Sequence, residues 1–212
     1  MKWSVLLVLL VLLGPHFSGV AASGWTTYHK SDQLLIEHRE SENALLQVHA
    51  TTQVRSSIGA FLHLLEDTNN ISAWVANSER AIVLATPSSN THLVHIYFDA
   101  IWPVSPRDMI TQSSWTQDPQ SKVLTLHIED MGQHFSPEPG YVRVEQVQGH
   151  WELTPLEGGV LLIDYTGQAD PAGKLPHFIT DKVTLRSLLS TFSDLQQILS
   201  GYQKPYPGVL EY

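Results

Sequence analysis

The stretch PHFITDKVTLRSLLSTFSDLQQILSG, residues 176–201, decides the fold of this chain. Its apolar residues recur at spacings of three and four, which is the period of an amphipathic α-helix. Pro176 suits the first helical turn, Gly201 can end the helix, and Pro205 prevents it from continuing. At 1.5 Å per residue, such a helix is roughly 38 Å long. The sequence therefore predicts a closing helix that is long enough to lie across a whole sheet.

The first part of the chain predicts a hairpin followed by two short helices. Apolar and polar side chains alternate with a period of two within residues 33–54, as they do in paired strands. Residues 56–67 change to a helical period, and Ser56 or Ser57 is expected to cap that helix. Asn70 is expected to cap a second short helix.

Six further strands are predicted before the closing helix. Because they follow one another through short turns, they imply an antiparallel sheet. The helices are segregated from this run of strands, which implies the α+β class. We therefore expect a curved antiparallel sheet wrapped around the long C-terminal helix, with two short helices between the early strands. The six strands are predicted within residues 80–86, 91–102, 108–115, 122–130, 141–153 and 159–167.

The first residues have the layout of a secretory signal peptide. Lys2 supplies a positive charge, residues 5–13 form an uncharged apolar run, and small residues allow cleavage after Ala22 or Ser23. The apolar run is too short to cross about 30 Å of hydrocarbon comfortably, which disfavours a membrane anchor. We therefore expect residues 1–22 to be a signal peptide and residues 23–212 to be one domain of an exported protein, either periplasmic or secreted.

Composition argues against several classes of function. The chain has a net charge of −9, and loss of residues 1–22, whose only charged residue is Lys2, makes it −10. Such an acidic chain is a poor candidate for binding nucleic acid. It has no cysteine, so neither disulfides nor thiol chemistry are available. Its 11 histidines lack the spacing of a zinc site, and we expect neither a metal nor a cofactor.

The segment IWPVSPRDMI, residues 101–110, interrupts the strand pattern with two prolines. The prolines predict a corner between two strands, where no ladder N–H is needed. Arg107 and Asp108 are sequence neighbours, so on a strand they point to opposite faces and are not expected to pair with each other. Either one of them faces a ligand or braces a loop near the mouth of its pocket, or both only tie the corner to neighbouring loops.

Four passages together resemble the START family, the lipid-transfer domains related to steroidogenic acute regulatory protein. Residues 25–39 resemble the family's entry segment. Residues 56–74 resemble its first helix and the loop that follows, with Asp67 and Trp74 at the family's Asp and Trp. Residues 101–110 resemble its Pro-x-x-x-Arg-Asp signature, here on Pro103, Arg107 and Asp108.

The fourth passage, residues 164–192, resembles the approach to the family's C-terminal helix. The residues that match are Asp170, Pro171, Gly173 and Pro176. Thr180 and Asp181 depart from the pattern, since many members carry an apolar residue and Asn there. The resemblance covers essentially all of residues 23–212.

This resemblance implies the helix-grip fold. The signal peptide and the absence of cysteine add the expectation of an exported bacterial member of the family. The resemblance also implies that one hydrophobic, lipid-like molecule occupies a tunnel between the sheet and the C-terminal helix. No catalytic group is required for that role, so we do not expect an enzyme. The implied partners are a hydrophobic small molecule or lipid and, transiently, a membrane surface, while the oligomeric state stays open.

Three features supply candidate ligand-binding residues. The Arg-Asp pair supplies two, and tryptophans near strand ends either line a pocket or pack in the core. The apolar stripe of the closing helix must pack mostly on the sheet, but a few of its positions would touch a ligand. The candidates are Arg107, Asp108, Trp102, Trp115, Phe178, Leu185, Leu188, Leu189 and Phe192.

Two other functions remain open from the residues alone. An aromatic cyclase-like or hydrolytic enzyme would need acid–base groups in the same pocket, and Asp99 or Asp164 could face either the pocket or solvent. An interaction protein without a ligand would have a filled core and an exposed apolar patch.

Overall fold

The structure is a computed structural model and describes residues 24–202 and 205–211. The predicted signal peptide, residues 1–22, lies outside the described residues. The described part contains one sheet of ten strands and a long C-terminal helix. The strands are β1 (Thr26–Lys30), β2 (Leu34–Glu40), β3 (Leu46–Arg55), β4 (Ser78–Ser88), β5 (Thr91–Phe98), β6 (Arg107–Gln117), β7 (Leu124–Asp130), β8 (Val142–Arg143), β9 (Glu145–Leu156) and β10 (Val160–Asp170).

The predicted α+β class and the curved, mainly antiparallel sheet are confirmed. The spatial order of the strands is β1-β2-β3-β10-β9-β7-β6-β5-β4, and every neighbouring pair on this path is antiparallel. The early hairpin therefore joins the later strands through the pairing of β3 with β10. Two strands differ from the expectation: β1 adds an edge strand before the hairpin, and β8 pairs with β6 in parallel.

The helices occupy the predicted places. Helix α1 (Ile58–Glu66) begins at Ser57, whose hydroxyl accepts a hydrogen bond from the backbone N–H of Ala60 at 3.1 Å, so the predicted cap is confirmed. A 3₁₀-helix, Thr68–Ala73, follows after Asp67. The expectation that Asn70 caps the second helix is wrong, because Asn70 lies inside it.

The closing helix α2 (His177–Ile198) continues into one 3₁₀ turn, Leu199–Gly201, and so ends where the glycine predicts. Pro176 lies at its N-cap with an extended backbone. Within the described residues, the structure contains no helix that is long and apolar enough to cross a membrane.

The core lies between the sheet, α1 and the second half of α2. Alternation places one side of the central strands on this core, which is why Ala50 of β3 and Ile163 of β10 are fully buried. Phe192 and Leu195 of α2 are also fully buried and belong to the same cluster. The fully buried residues that α2 adds to this cluster lie in its second half, whereas Val183 and Thr184 in its first half line a cavity.

Candidate ligand-binding site

Two adjoining cavities lie between the inner face of the sheet and α2. The first has a volume of about 330 Å³ and lies beside the N-terminal half of α2, and the second has a volume of about 480 Å³ and reaches α1. Each volume is within the range of roughly 300–1,000 Å³ that is usual for small-molecule sites. Seven residues line both cavities and form the boundary between them: Val75, Phe98, Met109, Ile128, Tyr165, Leu188 and Thr191.

The first cavity opens between the corner at residues 99–106 and the start of α2. Ile101 and Val104 line it from the corner, and His177 and Asp181 line it from the helix. Trp102 and Phe178 belong to these same two segments, but they are 92% and 73% exposed and line neither cavity. Two large apolar side chains therefore stand in solvent at the rim of this opening.

The second cavity is walled by aromatic and aliphatic side chains. Trp151 stacks on Phe192 with ring centroids 5.7 Å apart, and Trp115 lines the cavity from β6. A polar pair lies at its end, where Nε2 of His92 is 3.5 Å from a carboxylate oxygen of Glu66. This wall suits an apolar occupant with a polar exit towards solvent.

The C-terminal tail, residues 205–211, lies against that end of the second cavity. The hydroxyl of Tyr206 donates to Glu66, and its ring meets Trp115 edge-on with centroids 6.1 Å apart. The side-chain amide of Gln117 donates to the carbonyl of Leu210 and accepts from its N–H, both at 2.8 Å. Since Trp115 and Glu66 line the cavity, the tail buttresses its wall.

Arg107 lines the first cavity and ties its two rims together. Its Nη1 donates to the carbonyl of Ser105 in the corner at 2.9 Å. Its Nε and Nη2 donate to the carbonyls of Pro171 at 2.9 Å and of Ala172 at 3.3 Å, in the linker before α2. Burial lowers the pKa of the guanidinium below its ordinary value. One side chain therefore holds both the corner and the helix linker in place.

Asp108 lies on the opposite, outer face of the sheet, as alternation predicts. It is fully buried, and its Oδ2 is 2.8 Å from Nε2 of His95 and accepts from Nε of Arg143 at 2.8 Å. Arg143 also donates to the carbonyls of Gly132 and Ser136, so this network ties the loop before β8 to the sheet. Asp108 lines neither cavity.

The predicted ligand-binding residues fall into three groups in the structure. Arg107, Trp115, Leu188 and Phe192 line a cavity. Leu185 is buried and Leu189 packs on the core, but neither lines a cavity. The remaining three, Trp102, Phe178 and Asp108, lie outside the linings.

Apart from Leu188, sequence reasoning missed the residues at the boundary between the two cavities. Met109 lies two residues after Arg107 on β6, and Tyr165 lies two residues after the buried Ile163 on β10. Strand alternation alone would have placed both side chains on the inner face. Val75 gave no such signal, because it lies in the loop after the 3₁₀-helix.

The polar groups of the outer face are bonded to one another across the strands. Nε2 of His49 is 2.8 Å from Oδ2 of Asp164, which also accepts from the hydroxyl of Thr51 at 2.8 Å. The hydrogen bond to Asp164 raises the pKa of His49 above its ordinary value. Burial raises the pKa of Asp164, but the bonds from His49 and Thr51 outweigh it, so this pKa is lowered overall. Within the described ranges, no three His, Asp or Glu residues are grouped so that they could hold a metal ion.

Comparison with known proteins places this geometry in a family. The START domain model matches residues 19–204. An uncharacterized protein of Pseudomonas aeruginosa is 21% identical over 145 residues, which are 68% of this chain and 71% of that protein.

Two solved structures share the fold. A STAR-related lipid transfer protein from Xanthomonas axonopodis has a TM-score of 0.75 and 19% identity, over 84% of this chain and 99% of that one. The Zhui aromatase/cyclase from Streptomyces sp. R1128 has a TM-score of 0.50 and 15% identity, over 73% of this chain and 93% of that one. Because the family model covers most of the sequence and the architecture agrees, the chain belongs to the START domain family.

Proposed function

We propose that this protein holds one hydrophobic, lipid-like molecule in the two cavities between the sheet and α2, and sequesters it or carries it between membranes. The observation that carries this proposal is the pair of adjoining cavities, whose shared boundary is made mainly of apolar side chains. Burial of apolar surface contributes about 25 cal/mol per Å², so a lipid gains binding free energy without any catalytic group.

The test is to block the boundary between the cavities. Met109→Trp places a large ring where both cavities meet and should abolish uptake of a fluorescent lipid. Thr116→Trp adds the same ring to an exposed position of the same strand and should leave uptake unchanged. If both variants fold and take up the lipid equally, the cavities are not the site where the lipid binds.

Entry of the ligand requires α2 or the adjoining loops to move away from the sheet. The side chains of Asn77 and Ser187 are joined by a hydrogen bond of 2.8 Å, and both residues line the first cavity. The protein has no cysteine of its own. In the double variant Asn77→Cys/Ser187→Cys, oxidation should therefore slow lipid exchange, and reduction should restore it. If the rate of lipid exchange is the same in the oxidised and the reduced variant, the ligand enters by a different route.

The rim of the first cavity is the surface that we propose for transient membrane contact. Trp102 and Phe178 are exposed at this rim, and tryptophan favours the interface between water and lipid. The double variant Trp102→Ala/Phe178→Ala should bind vesicles less and transfer lipid more slowly. Ile82→Ala removes an exposed apolar side chain from the edge strand β4 and serves as the control. If only the control lost vesicle binding, the rim of the first cavity would not be the surface that contacts the membrane.

An enzymatic function using the same pocket is the second candidate, because a cyclase shares the fold. It requires acid–base groups that face the ligand. Asp164 lies on the outer face with His49, and Asp99 lines the first cavity but is exposed. Neither of these two carboxylates is placed for catalysis, although His177 and Asp181 line the first cavity and Glu66 and His92 line the second. Release of the bound molecule chemically unchanged supports the binding function, and recovery of a converted product would support the enzyme.

We also propose that the protein acts after export. This proposal rests on the charge, the apolar run and the small residues at the start of the sequence. An extracytoplasmic location would place the protein beside membrane surfaces from which a lipid can be taken.

A further inference from the structure

Arg107 is a buried cation for which no described residue supplies a counter-ion. Its residue surface is 9% exposed, and the ion pairs among the described residues do not include it. Its hydrogen bonds within the described part of the chain go to the carbonyls of Ser105, Pro171 and Ala172. Buried charges in proteins are normally paired, because an isolated charge loses its hydration. The neighbouring buried charge, Asp108, follows that rule through its bond to Arg143.

The carboxylates that line the same cavity do not neutralise Arg107. Asp99 is exposed, so water screens its charge. Burial raises the pKa of Asp181, and the charges that act on it are those of His177, His38 and Glu40. The positive charge of Arg107 therefore faces the cavity without a protein anion beside it.

The guanidinium also has donors to spare. Arginine carries five N–H groups in a planar fork, and three hydrogen bonds to carbonyls leave two of them. Such a fork is suited to the oxygens of a carboxylate or phosphate, with which it forms strong charge-assisted hydrogen bonds.

A path of uncharged side chains leads away from this charge. Met109, Thr111, Ser113 and Trp115 follow Arg107 on the inner face of β6 and line the cavities as far as the end of the second one. At roughly 3.3 Å per residue, this face is about 26 Å long. A single extended acyl chain can therefore lie along it.

We infer that Arg107 forms a subsite for the oxyanion head group of an amphiphile, either a carboxylate or a phosphate, whose acyl chain runs along β6 into the second cavity. This inference rests on the proposed function and adds the chemical class of the ligand's polar end. Arg107 is then a binding residue as well as the tie between the two rims.

The first experiment uses the wild-type protein and an equimolar mixture of hexadecanoate and hexadecan-1-ol, which share a chain length and differ in the head group. The bound molecules are extracted from the washed complex and measured. The acid should be recovered at about tenfold excess over the alcohol, since a tenfold preference corresponds to about 1.4 kcal/mol. Hexadecyl phosphate should compete like the acid, and millimolar inorganic phosphate should displace neither.

The second experiment asks whether Arg107 is the source of the preference. Arg107→Gln should lose the preference for the acid, so that acid and alcohol are recovered from the folded variant in about equal amounts. Arg186→Gln removes the same charge from an exposed position on α2 outside both linings, and it should retain the preference. If Arg107→Gln does not fold, the wild-type comparison of acid, alcohol and inorganic phosphate still decides whether the cavity prefers an oxyanion head group.

The inference can be overturned in several ways. Equal recovery of acid and alcohol would make Arg107 a donor to backbone carbonyls only. An undiminished preference in Arg107→Gln would move the subsite elsewhere, and displacement of the acid by inorganic phosphate would make the site one for free anions. Binding of the alcohol alone leaves the proposed function standing, whereas binding of neither amphiphile overturns both.

Discussion

Replacing Asp108 with asparagine tests the outer face of the sheet without changing Arg107 on the inner face. Asparagine keeps the size of the side chain and one acceptor oxygen, but it removes the negative charge that faces Arg143 and His95. Asp108 is fully buried and lies on the opposite side of the sheet from the cavities. The variant should therefore lose stability and keep its ligand.

The size of the loss follows from the network. Removing one partner of a buried ion pair costs about 3–5 kcal/mol, because the other charge is left uncompensated. Arg143 retains its bonds to two backbone carbonyls, so we expect the lower value, about 3 kcal/mol. For a chain of this size, that loss lowers the melting temperature by about 6–12 °C.

Urea unfolding followed by circular dichroism measures the change, and a lipid-binding titration is run on the same samples. Asp194→Asn, which removes a carboxylate from the surface of α2, should change the free energy of unfolding by less than about 0.5 kcal/mol. If Asp108→Asn were as stable as wild type, or if it changed lipid affinity while remaining folded, the assignment of Asp108 to a structural role on the outer face would be refuted.

Three further predictions follow from the outer face and the two ends of the chain. His49→Gln should remove the stability that wild type gains as the pH falls from about 8 to about 6. A histidine whose pKa is raised in the folded state stabilises that state fully below its unfolded pKa and loses this contribution as the pH rises through its folded pKa. Identical pH profiles of the two proteins in urea melts would exclude a contribution from the pair of His49 with Asp164. Deleting residues 205–212 should accelerate release of a bound fluorescent lipid, since the tail supports the end of the second cavity, and an unchanged release rate would make the tail irrelevant to exchange. N-terminal sequencing of the exported protein should begin at position 23 or 24, and a protein that retains position 1 would contradict signal cleavage.

The regular elements were predictable where burial imposes a period on the sequence. The stripe on α2, the cap at Ser57 and the alternation along β3 each place apolar groups on one side, and the structure follows them. Strand β1 was missed because its residues are mostly polar and exposed, so no core selects a pattern there. Residues 142–143 were predicted as part of one strand over residues 141–153, and β8 was not separated from β9 because two residues are too few to carry a period of their own.

The candidate site was predictable in part for the same reason. Alternation separates Arg107 from Asp108 correctly, because both lie on a regular strand. It could not place Trp102, which lies in an irregular corner where no period applies. Phe178 continues the apolar stripe of α2 but lies in its first turn, where it is exposed rather than packed on the sheet. The distribution of space between the two cavities depends on how side chains such as Tyr165 pack together, and no local pattern encodes that.

Native mass spectrometry of the purified full-length protein, after incubation with a lipid extract, tests most directly whether the space between the sheet and α2 holds a ligand. We predict one lipid adduct per chain, which survives removal of free lipid and is missing from Met109→Trp. A spectrum with only the bare chain at every lipid concentration, or an adduct that Met109→Trp retains in full, would contradict a ligand in these cavities.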